Sequence, residues 1–153
     1  MNTNRPVKEI MTTNLITVSP EVTASDVKAI FNEHSFHHIP VVNKANKLLG
    51  IISKEDFSKI AYFLSLNTSG RTFSNLRYQS LKAEDFMSKY PLSLDPDDTV
   101  GLAADIFLAN KFHALPIVED DELIGLVTTH DLLLYSFSSP RPVTYTKEEY
   151  VEE

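Results

Sequence analysis

Hydrophobic residues fall in short blocks along this chain, and the blocks come in one order twice. Leu15-Ile-Thr-Val18 is a β-branched run that Ser19-Pro20 closes, so it reads as a first strand. Val27, Ile30 and Phe31 then stand at i, i+3 and i+4, the spacing of one apolar helix face. Thr23 and Asp26 ahead of them have the form of a helix start: the hydroxyl accepts from a free N–H and the acid returns the bond. Ile39-Pro-Val-Val42 and Leu48 to Ile52 read as strands joined by a polar turn at Asn43 to Lys47. Pro40 lacks an N–H and is expected at a strand start or edge. Gly50 inside the third strand signals close approach by a backbone or a ligand. Ser53 opens a second helix that runs to about Leu66.

The second copy follows the same order. Leu92 to Leu94 is its first strand, Leu102, Ala103, Ile106 and Phe107 its helix face, Leu115 to Val118 and Leu123 to Val127 its other strands. Thr128 opens the last helix. Laid over each other, Val7 to Phe57 and Ala83 to Leu132 match at Met11 and Met87, Pro40 and Pro116, Gly50 and Gly125, Asp56 and Asp131. The offset is 76 residues up to Ala45 and 75 beyond it. An internal repeat governs every other reading. The fold class it predicts is α+β, an α/β-type sandwich of two β-α-β-β-α repeats packed with pseudo-twofold symmetry. Residues 7–66 form the first repeat, 67–82 a linker, 83–137 the second repeat and 138–153 a C-terminal tail. The linker, rich in Ser, Thr and amides, reads as a loop; Arg71 and Arg77 within it are expected in solvent. The tail, with Pro140 and Pro142, reads as a flexible arm or as a segment packed on a partner.

Composition narrows the class. Hydrophobic content of 42% suits a globular chain. No apolar run approaches the ~20 residues that cross a bilayer, and Met1 to Pro6 has no apolar core of a signal peptide; the chain reads as soluble and cytoplasmic. Absence of cysteine excludes disulfides and thiolate metal sites. A formal charge of -7 opposes a nucleic-acid partner, which requires clustered Lys and Arg. The acidic run Glu119 to Glu122 reads as a solvated hairpin tip.

The chemistry gathers at the ends of the third strands. Gly50-Ile-Ile-Ser53-Lys-Glu-Asp56 and Gly125-Leu-Val-Thr128-Thr-His-Asp131 each put a hydroxyl at a helix start and a carboxylate three residues on. One reading is a capping box that stabilises the helix by about 1 kcal/mol. The other is a ligand seat: free N–H groups at a helix N-terminus hold a phosphate, and the carboxylate accepts from ribose hydroxyls. The ligand reading rests on recurrence of Gly, hydroxyl and Asp, and on Asp standing where a capping box prefers Glu or Gln. Phe36 and Phe112 are expected in the core, with stacking on a base as the alternative. His37, His38 and His113 precede the second strands, either as strand-edge residues bonded to backbone or as ligand contacts; charging of imidazole near neutrality would raise affinity for an anion at lower pH. His34, His37 and His38 have no carboxylate or thiolate cluster in register, so no metal site is expected. No nucleophile with a base and no Gly-rich phosphate loop occurs, so no catalytic residue is assigned and the chain is not expected to be an enzyme.

These features together resemble a tandem pair of CBS domains, or Bateman module, over Val7 to Phe57 and Ala83 to Ser136. Met11-Thr12 and Met87-Ser88, Ile39-Pro-Val-Val42 and Leu115-Pro-Ile-Val118, and the two Gly-x-x-Ser/Thr-x-x-Asp endings carry the likeness. The resemblance implies two clefts between the repeats that bind an adenosine derivative such as AMP, ADP, ATP or S-adenosylmethionine. It places the ribose contact on Asp56 and Asp131 and the phosphate-side hydroxyl on Ser53 and Thr128. Adenylate-sensing members resemble this chain at His37 and His113, with an Arg following. Here His38 and Ala114 stand at the Arg position, which removes a bidentate phosphate contact and disfavours polyphosphates. No cofactor is required on this reading; the nucleotide is a regulatory ligand, and the module forms a homodimer that signals to another protein. The rival class is a ligand-free dimerisation module, with Phe31, Tyr62, Phe63, Phe107 and Phe137 as its apolar surface.

Overall fold

The structure is a computed structural model that describes residues 1–66, 71–110 and 112–138, the side chains of 71–75 excepted. In chain order its elements are α1 (Ala24–Glu33), β1 (His38–Val42), β2 (Leu48–Ser53), α2 (Lys54–Leu66), α3 (Arg71–Ser80), α4 (Ala83–Phe86), β3 (Ser88–Lys89), α5 (Val100–Ala109), β4 (Ala114–Glu119), β5 (Glu122–Thr128) and α6 (Thr129–Ser138). A short 3-10 turn at Val7–Glu9 precedes them. Mixed helix and sheet in two like halves is the α+β architecture that the repeats imply.

Each half is built on an antiparallel hairpin, β1 with β2 and β4 with β5. Apolar runs at these positions become buried strands: Ile39, Val41, Leu115, Ile117 and Val127 are fully enclosed. The turns close on residues that tolerate positive φ, Asn46 at 59° and Asp120 and Asp121 at 50° and 66°. The two hairpin tips also touch. Asn46 Nδ2 donates to Leu123 O at 2.8 Å, and Leu123 N donates to Asn46 O at 3.0 Å. The acidic tip itself stays exposed, as its charge run implies.

The runs Leu15 to Val18 and Leu92 to Leu94 do not form strands. Each makes one parallel bridge, Val18 with Val41 and Leu94 with Ile117. Val18 N donates to Pro40 O at 3.1 Å and Val42 N to Val18 O at 2.9 Å. The next rung would need an N–H from Pro40, which has none. Pro116 stops the second ladder in the same way. Pro40 therefore sits third in β1, which is an edge strand of its sheet, with its donor-less side facing the short bridge. The reading of the linker as a loop also fails in part: α3 is helical, while residues 67–70 lie outside the described residues. α3 is anchored by Tyr78 and Leu81, three apart, which pack on the first core. The Tyr78 and Phe57 ring centroids are 6.4 Å apart. Arg77 is exposed, as expected. The Arg71 side chain and the tail from 139 onward lie outside the description.

The repeats exchange their lead-in segments. Ala83, with Met87 packed against it, completes the core of the first repeat around Val27, Phe31, Ile39 and Phe57. Val7, with Met11, completes the second around Leu94, Leu115, Ile117 and Val127. Backbone bonds repeat the exchange in both directions. Val7 N donates to Asp98 O at 2.7 Å and Ala83 N to Val22 O at 2.8 Å. Thr12 bridges Leu126 in β5, and Ser88 in β3 pairs with Ile51 in β2. Gly50 and Gly125 lie where these crossings are tightest. A Cβ on Gly50 would sit 2.8 Å from both Met87 Cγ and Ser88 O, and one on Gly125 would sit 2.9 Å from Met11 Cγ. Close approach does explain both glycines, and what approaches is the other repeat.

Phe31 is buried in the first core and Phe107 packs against the second, so neither belongs to a leftover apolar surface. Tyr62, Phe63 and Phe137 are exposed at 63%, 64% and 68%. No helix among the described residues is long and apolar enough to cross a membrane.

Candidate functional site

A cleft of about 1340 Å³ opens between the repeats. All seven residues singled out in the sequence line it: Ser53, Asp56, Thr128, Asp131, His37, His38 and His113. The hairpins bring them together. His38 pairs with Ser53 across β1 and β2, and Ala114 pairs with Thr128 across β4 and β5. Lys54 N donates to His37 O at 2.7 Å and Thr129 N to His113 O at 3.1 Å, which ties each histidine's backbone to the following helix start. Both hydroxyl–acid pairs line this same cleft.

The two pairs differ in what they already bond. On the second repeat, Thr128 N and Oγ1 donate to Asp131 Oδ2 at 2.8 and 3.0 Å, and Asp131 N donates to Thr128 Oγ1 at 3.2 Å. Thr12 Oγ1 of the other repeat donates to Asp131 Oδ1 at 3.2 Å. On the first repeat, Asp56 N donates to Ser53 Oγ at 3.0 Å, but the Asp56 carboxylate makes no bond back to Ser53. Among the described residues its partner is Lys59 Nζ at 3.5 Å.

This geometry corrects two arguments from sequence. Asp is long enough for a complete capping box: Thr128–Asp131 forms one, and so does Thr23–Asp26 far from the cleft. The recurring glycine serves the crossing methionines. Neither the choice of Asp nor the glycine therefore points to a ligand, although both pairs do line the same cleft.

The histidines also part company. His38 is half-buried, and burial lowers its pKa to about 4, with His37 and His113 pushing the same way and Asp56 opposing. It is neutral at physiological pH, which overturns the expectation that it charges near neutrality. His37 and His113 are exposed. Phe36 packs against the first core as expected and also lines the cleft, whereas Phe112 lines the cleft and is 38% exposed.

Sequence reasoning left out Thr12, Ser88, Lys59 and His130, which also line the cleft. Thr12 and Ser88 are equivalent hydroxyls just after the crossing methionines, a duplication visible in the repeat alignment. Lys59 lies three residues after Asp56, one helical turn on, where the second repeat has Leu134. Among the described residues, no three His, Asp or Glu side chains gather as metal ligands.

Comparison with known proteins follows the same division. The CBS domain family matches residues 7–62 and 83–138. The chain is 34% identical over 128 residues to inosine-5'-monophosphate dehydrogenase of Korarchaeum cryptofilum, covering 83% of this chain and 23% of that enzyme. It spans about a quarter of the length of such relatives. Among solved structures it resembles CBSX2 in complex with AMP, at 23% identity and a TM-score of 0.69, over 87% of this chain and 96% of that one; CBSX2 comes from Arabidopsis thaliana. The CBS domain pair of protein MJ0100, in complex with 5-methylthioadenosine and S-adenosyl-L-methionine, matches at 22% identity and a TM-score of 0.69, over 88% of this chain and 98% of that one. The chain belongs to the CBS domain family, as a tandem pair.

Proposed function

We propose that this chain is a regulatory, non-catalytic module that binds an adenosine-type ligand in the cleft and passes that state to a partner protein. AMP, ADP, ATP and S-adenosylmethionine are the ligands to compare. The carrying observation is that two hydroxyl–acid pairs and three histidines from both repeats line one cleft. Carboxylates there accept from ribose hydroxyls, and the N-termini of α2 and α6 favour an anion. The AMP and S-adenosylmethionine complexes of similar domain pairs support the reading. Lys59 is the one Lys among the described lining residues, and no Arg is among them. Among the described lining residues a polyphosphate meets a single Lys rather than the clustered cations that suit it, and AMP is expected to bind more tightly than ATP.

A thermal melt with each of the four ligands tests this. A ligand at a hundred times its Kd stabilises the fold by about 2.7 kcal/mol, and replacing Asp56 and Asp131 together with Ala removes the shift. Unchanged melting with all four ligands would sink the proposal. A ligand-free dimerisation module is the second reading, favoured by the exposed Tyr62, Phe63 and Phe137. Sedimentation showing a dimer that is indifferent to every nucleotide would establish it instead.

A further inference from the structure

The two halves of the cleft are equivalent by descent and unequal in bonding. Asp131 accepts three hydrogen bonds: Thr128 N and Oγ1 on one oxygen, Thr12 Oγ1 on the other. A carboxylate offers about four lone-pair sites, so Asp131 has little acceptor capacity left. One of its bonds crosses between the repeats. Asp56 has no such load. Ser88, the equivalent of Thr12, makes no bond to it among the described residues, and its carboxylate meets only Lys59 at 3.5 Å, with Asp56 55% and Lys59 63% exposed. An ion pair so open to water is weak and easily exchanged.

From this inequality we infer that the module takes one adenosine-type ligand per chain, on the Asp56 half, with Lys59 as the contact for the ligand's anionic group. Asp131 is a positioning residue that fastens the lead-in segment of the first repeat to α6. Ribose hydroxyls would replace Lys59 on Asp56. The ammonium so released remains one helical turn from the ribose seat, within the same cleft, and pairs with a 5'-phosphate. Glu55, 3.4 Å from Lys59, keeps that ammonium at the cleft wall. The second half has Leu134 where Lys59 stands, so a ligand seated there would find no equivalent cation on α6. The inference rests on the adenosine reading above and adds stoichiometry, side and charge preference to it.

Isothermal titration of the full chain with AMP and with adenosine is the test, on wild type and on Asp56→Ala, Asp131→Ala and Lys59→Gln. One AMP per chain is expected. Asp56→Ala removes binding and leaves the melting temperature near that of wild type. Asp131→Ala lowers the melting temperature and retains binding. Lys59→Gln weakens AMP about tenfold, the scale of one charge-assisted bond, and leaves adenosine unchanged. Two AMP per chain, or binding lost in Asp131→Ala but kept in Asp56→Ala, overturns this inference and leaves the adenosine reading standing. Equal weakening of AMP and adenosine by Lys59→Gln overturns the role of Lys59. Absence of heat with both ligands in wild type overturns this inference, and unchanged melting with all four ligands named above overturns the adenosine reading with it.

Discussion

Gly50→Ala destabilises the module by about 3 kcal/mol, whereas Gly125→Ala costs about 1 kcal/mol, although the two glycines occupy equivalent positions. A methyl on Gly125 meets only the side chain of Met11, whose three rotatable bonds let it move aside. A methyl on Gly50 meets Met87 and also the carbonyl oxygen of Ser88 at 2.8 Å. That oxygen belongs to β3, which is paired with β2, so it cannot withdraw without loss of the pairing. Chemical denaturation of both single variants measures the difference. A double-mutant cycle sharpens it. Met11→Ala relieves most of the strain of Gly125→Ala, whereas Met87→Ala leaves the carbonyl contact in Gly50→Ala untouched. Equal costs at the two glycines would mean that the crossings are not as tight as described.

The second large effect is a loss of stability in acid that depends on His38. Its folded pKa of about 4 lies below the ordinary 6.5. Between these values the unfolded chain binds the proton and the folded chain does not. Acidification therefore favours unfolding from pH 6.5 downward and the loss is complete near pH 4; above pH 6.5 the residue has no effect. Its full size is about 3 kcal/mol. His38→Gln removes the titration, so wild type and variant should differ by a margin that changes through this window and is constant above it. Melting curves from pH 4 to pH 8 give the comparison. A margin independent of pH would show that the ring is solvated in the folded state. His37, His113 and Asp56 surround the same ring and are left intact in the variant.

Much of this architecture was legible in the chain. β1, β2, β4 and β5 fall within about a residue of the apolar runs that announced them, because a β-branched run between polar turns has few other ways to be buried. Thr23 and Asp26 make the capping box that their spacing predicts. What sequence concealed depends on pairs of distant residues. Leu15 to Val18 has strand composition, yet the rung it lacks is withheld by Pro40, more than twenty residues away. α3 is polar along most of its length, and its two anchors, Tyr78 and Leu81, have meaning only beside Phe57 and its neighbours. Six of the seven cleft residues recur in both copies; His38, whose counterpart is Ala114, was found from its place ahead of the Ile39-Pro-Val-Val42 run. The unequal bonding of the two acids was not legible, because Thr12 reaches Asp131 only through the exchange of lead-in segments, and burial of His38 is set by packing rather than by its neighbours in sequence.

Exchange of those segments makes each half incomplete by itself. A fragment ending before Ala83 would lack part of its own interior and carry Val7 and Met11 with nothing to insert them into. Two such fragments produced as separate molecules would be obligate partners, each folding only as it clasps the other. In evolutionary terms the module behaves as an interlocked dimer whose protomers have been joined end to end, and a force that parts the halves must undo both interiors together.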